Sequence, residues 1–186
     1  MFSHKVNDDI QLKLLELHDA EEIFAQTDES RNCLREWLPW VDSTKTVEDT
    51  RSFIKATLNQ FASNNGFQTG IWYKGQLAGV IGFHRIDWPN RSTNIGYWLG
   101  KRFQGQGIMT NSVRALVDIA FGEYNLNRVE IRAAVENLKS RAIPERLGFR
   151  NEGCIRQSEW LYDHFVDHIV YGMLAQDWTG VKNSTG

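Results

Sequence analysis

The stretch Ile95-Gly-Tyr-Trp-Leu-Gly-Lys-Arg-Phe-Gln-Gly-Gln-Gly-Ile-Met-Thr110 decides how the rest of the chain is read. It begins as an apolar strand, passes through closely spaced glycines and opens a long amphipathic segment. Gly105 and Gly107 have no Cβ and reach positive φ easily, so successive backbone N–H groups can converge on one concavity. A helix starting at Gly107 adds its unpaired first-turn N–H groups and the positive end of its dipole. The stretch therefore reads as a cradle for an anion such as a phosphate. It is no Walker A loop, because GxxxxGK[ST] is absent. It also departs from a dinucleotide fingerprint: Thr110 stands where a third glycine belongs, and roughly a hundred residues of other structure precede it. Glu130, at the distance of a ribose-binding acid, reads more simply as a surface position on a strand.

Outward from the cradle, hydrophobic periodicity assigns the elements. Towards the N-terminus, residues 92–99 form a strand, reached through a turn at Trp88-Pro89-Asn90. Residues 67–73 and 77–86 form a hairpin about Lys74-Gly75. A helix precedes the hairpin, with Val47, Phe53, Ile54, Leu58 and Phe61 at helical spacing. It opens at Thr46 and Asp49, spaced as a capping box, and stops near Asn64-Asn65-Gly66. Residues 33–37 form a short helix that Pro39 ends, and residues 20–28 another. Ile10, Leu12 and Leu14 alternate with polar residues in a strand over residues 9–16.

Towards the C-terminus, the cradle delivers a helix over residues 107–121, with Val113, Leu116, Val117 and Ala120 on its apolar face. A strand follows at 128–135. A helix between two parallel strands implies a right-handed crossover. A short helix spans 140–146, and two strands, 152–162 and 165–174, turn at Asp163-His164. The fold class expected is α/β (α+β), with a mixed, mostly antiparallel sheet of about seven strands and flanking helices. A single domain is expected over residues 1–178, with a polar, disordered tail over residues 179–186.

The totals narrow the function. The chain has 186 residues, 41% hydrophobic and 24% charged, as in ordinary globular proteins. A net charge of −2 and a pI near 6.2 argue against nucleic-acid binding. No apolar run is long enough to span a membrane, and the N-terminus lacks a signal-peptide core. Cys33 and Cys154 form no CxxC and the histidines no HExxH, so neither a disulfide framework nor a metal is expected. A reducing cytoplasm fits.

With these residues in hand, the sequence resembles the GNAT superfamily of N-acetyltransferases. Arg102-Phe-Gln-Gly105-Gln-Gly107 fits the superfamily signature Q/R-x-x-G-x-G/A. Ile95-Gly-Tyr-Trp-Leu99, Asn137-Leu-Lys-Ser140, Leu147-Gly-Phe149 and Glu152-Gly-Cys154 follow in the order seen in the RimJ/RimL-type branch, which acetylates N-termini of ribosomal proteins. Leu34-Arg-Glu-Trp-Leu-Pro-Trp40 and Glu48-Asp-Thr50 are similar to that branch too. The resemblance spans roughly residues 10–175 and implies a GNAT fold and an acetyl-CoA co-substrate. Its pyrophosphate would sit on Gln104, Gly105, Gln106, Gly107, Ile108, Met109 and Thr110. Its pantetheine would pair with the strand ending at Tyr97, Trp98 and Leu99, where that strand splays from the one starting near Arg128. Asn137 would bond the pantetheine amide, though it also suits a turn. One departure is Asn111-Ser112, where many relatives carry an acidic residue and alanine. Relatives often pair through sheets or C-terminal strands, so a homo-oligomer is possible.

The chemistry needs a neutral amine, a polarised thioester carbonyl and a proton for the departing thiolate. Direct attack needs no covalent enzyme intermediate, so the lack of a Ser-His-Asp or Cys-His set is no objection. Two residues match catalytic positions proposed in the branch. Ser140 would protonate the sulfur or bond to it; it also suits a helix N-cap. Glu159 would take the amine proton, directly or through water; it also suits a polar strand surface. His84 faces either the acceptor or solvent. Trp37, Trp40 and Trp88 line an acceptor pocket or pack in the core.

An α-amine, with pKa about 7.7–8.0, is roughly one-tenth neutral at pH 7, so a modest base suffices. A lysine amine would have to be brought down at a cost of about 3.4 kcal/mol. Three readings follow: acetylation of a protein N-terminus; acetylation of a small amine such as a polyamine, an antibiotic or an amino acid; or a non-catalytic CoA-binding sensor.

Overall fold

The computed structural model describes residues 2–180. Eight strands form one sheet: β1 (Ser3–Lys5), β2 (Ile10–Leu14), β3 (Phe67–Tyr73), β4 (Gln76–Asp87), β5 (Ser92–Leu99), β6 (Arg128–Ala134), β7 (Arg150–Leu161) and β8 (His164–Leu174). Their order is β1-β2-β3-β4-β5-β6-β8-β7. This is one strand more than the sequence suggested; β1 is three residues long, too short for alternation to be read. Five helices surround the sheet: α1 (Ala20–Glu29), α2 (Arg31–Arg35), α3 (Val47–Ala62), α4 (Ile108–Gly122) and α5 (Leu138–Arg146). The tail expected to be disordered falls mostly on residues 181–186, outside the described residues.

Local rules explain most boundaries. Thr46 and Asp49 close the expected capping box on α3: Asp49 Oδ2 accepts from Thr46 N at 2.8 Å and Thr46 Oγ1 from Asp49 N at 3.4 Å. β4 buries residues 77–83 without a break, because both its faces are covered. On one face α4 closes a core with Ile81, Phe83, Ile95 and Tyr171. On the other, α1 and α3 cover Leu77 and Val80, with Trp72 and Trp98 at the margin. Beyond β5, Glu130, Arg132, His168 and Glu159 share that second face, each exposed or half-buried.

Two irregularities shape the site. All neighbouring strands pair antiparallel except β5 and β6, whose parallel ladder holds only Ser92↔Arg128, Thr93↔Val129 and Asn94↔Glu130. Beyond Asn94 the two strands diverge, and β5 runs on to Leu99 with no partner on that side. The second irregularity is a bulge in β4, where Phe83 and Arg85 oppose the consecutive residues Ile95 and Asn94, leaving His84 as the extra residue.

Candidate active site

The loop between β5 and α4 has the shape the sequence required. Gly105 and Gly107 adopt φ of 74° and 73°, and Gly107 is the left-handed N-cap of α4, with no side chain capping that helix. Open space surrounds the position a Cβ would take on Gly105. Side-chain amides brace the loop: Gln104 Nε2 donates to Leu99 O at 3.2 Å and Gln106 Nε2 to Arg102 O at 3.0 Å. Asn111 and Ser112 turn back onto the carbonyls of Gly107 and Ile108, at 3.0 and 2.8 Å, so this departure leaves the first-turn N–H groups free. The sequence missed one cation: Arg146 of α5 reaches Thr110 Oγ1 at 3.3 Å. Nothing in a linear pattern joins those two positions.

An anion cradle at the end of an unpaired strand edge fits a pyrophosphate carrying an extended, amide-bearing arm. The cradle supplies N–H groups. The β5 edge supplies the backbone donors and acceptors that a splayed strand otherwise leaves unsatisfied. Trp98 and Leu99 turn their side chains away from this edge: Trp98 packs against Trp40 with ring centroids 5.9 Å apart and planes tilted by 55°, and Leu99 is buried in the α4 core.

Tyr97 behaves differently. Its phenol reaches α5, where Tyr97 Oη donates to Ser140 O at 3.1 Å and accepts from Ser140 Oγ at 3.3 Å. Burial pushes this phenol well above the ordinary tyrosine range, outweighing its bond to Ser140, so it stays protonated. The local cause lies in α5, which contains Pro144. Proline has no N–H to return to the carbonyl four residues earlier, which is that of Ser140, and Tyr97 fills the vacancy. Ser140 is not the helix N-cap; Asn137 is, accepting from Ser140 N at 3.3 Å. Asn has the short side chain the cap needs, and the helix begins two residues earlier than its expected start at 140. Arg141 ties α5 to the sheet through Tyr171 Oη at 2.9 Å and Val135 O at 2.7 Å.

Glu159 does not join Ser140. It lies on β7 opposite Val166, and its Oε1 is 3.7 Å from His168 Nε2. Just before it, Arg156, Gln157 and Ser158 leave the ladder, and Gln157 takes a positive φ while donating N–H to Asp167 Oδ1 at 2.7 Å. His168 carries no motif; only cross-strand pairing reveals it.

A cleft of about 510 Å³ opens between the α2 segment, the end of β6 and the β7–β8 turn; Glu36, Trp37, Glu136, Asp163 and Asp167 are among its walls. Tyr162 fastens two of these walls, donating to Leu38 O at 2.5 Å beneath the guanidinium of Arg35, 3.9 Å from the ring centre. Trp37 lines the cleft; Trp40 and Trp88 do not. Trp88 donates to Asn64 O at 2.7 Å and stacks on Tyr124, which makes it structural. Among the described residues no group of three or more His, Cys, Asp or Glu is placed to hold a metal ion, and no helix is long and apolar enough to cross a membrane.

The family model described as an acetyltransferase (GNAT) domain matches residues 9–150. This chain belongs to the GNAT acetyltransferase family. YdaF of Bacillus subtilis (strain 168), provisionally named a ribosomal N-acetyltransferase, is 40% identical over 98% of this chain and 100% of its own. The RimL ribosomal L7/L12 α-N-protein acetyltransferase in complex with coenzyme A superposes with a TM-score of 0.90 at 26% identity, covering 93% of this chain and 98% of its own. The microcin C7 self-immunity acetyltransferase MccE, in complex with acetyl-CoA and AMP, gives 0.88 at 33% identity, covering 91% and 94%. The GNAT chain described here is an acetyl-CoA-dependent N-acetyltransferase.

Proposed function

We propose that the acceptor is the α-amine of a protein N-terminus, in the first instance that of a cytoplasmic ribosomal protein, and that it enters through the cleft beside Trp37. The observation that carries this reading is the cleft's form and charge. It is open-sided, and carries Glu36, Glu136, Asp163 and Asp167 against Arg35 and His164. Arg35 is already paired with Asp42, at 2.8 Å. Such a wall draws an ammonium-ended chain inward, and an α-amine needs little help to lose its proton. The relatives whose names refer to ribosomal proteins support the same acceptor.

The residues divide the work at two places. At the cofactor, the loop from Gln104 to Thr110 takes the pyrophosphate on backbone N–H groups, and the β5 edge at Tyr97, Trp98 and Leu99 pairs with the pantetheine arm. Asn137 has its amide nitrogen available to that arm, since its Oδ1 serves Ser140 N. Acetyl-CoA supplies the activated acyl group as a thioester. Ser140 Oγ donates to Tyr97 Oη, and rotation of the hydroxyl about its Cβ–Oγ bond turns the same proton to the sulfur. On the amine's side, Glu159 with His168 provides a negative pole that attracts the ammonium and is the sink to which its proton passes through water.

The decisive experiment is turnover of acetyl-CoA against ribosomal-protein N-terminal peptides, polyamines, aminoglycosides and aminoacyl nucleotides, with products located by mass spectrometry. Acetylation at the peptide α-nitrogen supports the reading; turnover confined to small amines overturns it. MccE, crystallised with AMP at 33% identity, is the specific reason for the nucleotide arm of that panel.

A further inference from the structure

His84 is the least explained titratable side chain near the site. It is the extra residue of the β4 bulge, and two further features hold it there. Gln60, from the last turns of α3, donates its side-chain amide to His84 O at 2.6 Å, to Phe83 O at 3.3 Å and to Asn65 O at 2.9 Å. The neighbouring strand provides a glycine, Gly96, and the imidazole lies across it: a Cβ there would meet His84 Nε2 at 1.8 Å. Gly96 is also two residues past the last β5–β6 ladder pair, Asn94↔Glu130. The ring therefore rests on the lip of the gap between the splayed strands.

The side of the sheet matters as much as the position. Tyr97 points to α5 and the α4 core, so Gly96 faces the opposite way, onto the surface shared by Asn94, Glu130, Arg132, His168 and Glu159. Ser140 closes the gap from one side, and His84 stands at it from the other. Glu159 is further off. It sits on β7, two strands beyond β6, and strand spacing places that about 10 Å past β6. A carboxylate that distant needs an intermediary.

We propose that His84 is a catalytic residue: its Nε2, laid over Gly96 at the edge of the β5–β6 gap, accepts the proton of the attacking amine. The lone pair of the neutral amine forms the C–N bond to the thioester carbonyl carbon. The C–S bond breaks with its electron pair on sulfur, which takes a proton from Ser140 or solvent. The amine N–H proton goes to His84 and then to water and Glu159. This rests on acetyl transfer to an amine and not on which amine is used. His84 is exposed on this surface; the desolvation its neighbours impose moves it downward from the ordinary range, and an unperturbed imidazole is already mostly neutral at pH 7, so it is able to accept there. The charged groups on the same surface are Arg85 beside it and Asp87 further along β4, Arg128, Glu130 and Arg132 on β6, and His168 and Glu159 beyond. From α3, the neutral Gln60 side chain donates to its backbone carbonyl.

Two variants and two readouts test the role, using the best amine of the acceptor panel. His84→Asn keeps a polar group but removes the base; kcat is expected to fall about 10²-fold, with KM for acetyl-CoA unchanged within about threefold. Gly96 has no positive φ, so Gly96→Ala is tolerated by the backbone yet pushes the ring aside. It is expected to lose kcat comparably, and the double variant no more than either single. The second readout needs no turnover. The imidazole proton resonance that His84→Asn deletes should titrate below about 6.5 in the wild type, shift on adding CoA, and return to the ordinary range in Gly96→Ala. Near-wild-type kcat in both variants, or a His84 resonance that titrates normally and ignores CoA, overturns the proposal. An amine panel with no turnover but a CoA-sensitive, depressed His84 resonance would instead overturn the reading of the acceptor.

Discussion

Tyr97 Oη and the carbonyl of Ser140 are joined at 3.1 Å because Pro144 leaves that carbonyl without its helical donor. One proline thus turns a helix defect into a link between β5 and α5, and brings the Ser140 hydroxyl to 3.3 Å from the same phenol. Tyr97→Phe removes both bonds while keeping the ring. It should cost about 1 kcal/mol of stability and lower kcat roughly tenfold, since the serine then lacks the partner that orients it. Ser140→Ala should lower kcat further and leave KM for acetyl-CoA within about threefold. Equal kcat in wild type and both variants, measured by CoA release, would remove Ser140 from the chemistry.

Pro144→Ala separates the helix from its function. An alanine restores an N–H to the i−4 carbonyl, and an interior helical Pro costs up to about 3 kcal/mol relative to Ala. The variant should match or exceed the wild type in Tm. It should also lose activity, because Ser140 O then has a competitor for Tyr97. A variant both more stable and fully active would show that the link to Tyr97 has no catalytic role.

The cradle makes a different demand. Gly107 caps α4 with φ at +73°, where a β-branched residue is strained by about 1–2 kcal/mol. Gly105→Val and Gly107→Val should each raise KM for acetyl-CoA at least about tenfold, while Tm falls by only a few degrees. The space around Gly105 is empty of protein, so a side chain there meets no protein atom, and the strain at its φ of 74° is read separately as the loss of Tm. Unchanged acetyl-CoA binding by calorimetry in both variants would refute the cradle.

How much of this was legible follows the range of the interactions. The loop, the capping box of α3, the β3–β4 hairpin and the α4 crossover are set by neighbours a few residues apart, and the sequence states them. The Ser140–Tyr97 bond spans 43 positions and depends on two strands diverging, which no periodicity encodes. Pro144, four residues after Ser140, was the available signal. Asn137, rather than Ser140, caps α5, because two adequate capping residues three apart leave the start ambiguous. β1 is too short to show a pattern, and the pairing of Glu159 with His168 exists only once β7 and β8 are in register.

Glu159 tests the acidic side of the site. Glu159→Gln keeps the size and hydrogen-bonding capacity and removes the charge 3.7 Å from His168. It should reduce kcat/KM for a peptide amine about 10-fold to 100-fold and alter its pH profile. KM for acetyl-CoA should stay unchanged. A wild-type profile would show the carboxylate to be a surface residue of β7.

Arg128 gives a prediction of stability against pH. It donates to Glu152 at 2.8 and 2.6 Å and to Glu130 at 2.9 Å, and so ties β6, across β8, to the edge strand β7. The bond from Arg128 holds the Glu152 carboxyl below its ordinary range. For Glu130, burial pushes upward, but Arg132 and Arg128 outweigh it and the net displacement is also downward. A carboxyl depressed in the folded state binds fewer protons there than in the unfolded chain. Its stabilisation is therefore complete above the unfolded value, near pH 4.3, and is lost as pH falls through the lower folded value. Arg128→Met should lower Tm at pH 7, and the gap between variant and wild type should close as pH drops below about 4. Thermal melts at pH 7, 5 and 3.5 measure this directly. A gap that stays constant with pH would mean that Arg128 acts through the packing of its guanidinium over Gly172, where a Cβ would meet it at 2.6 Å, and not through its charge.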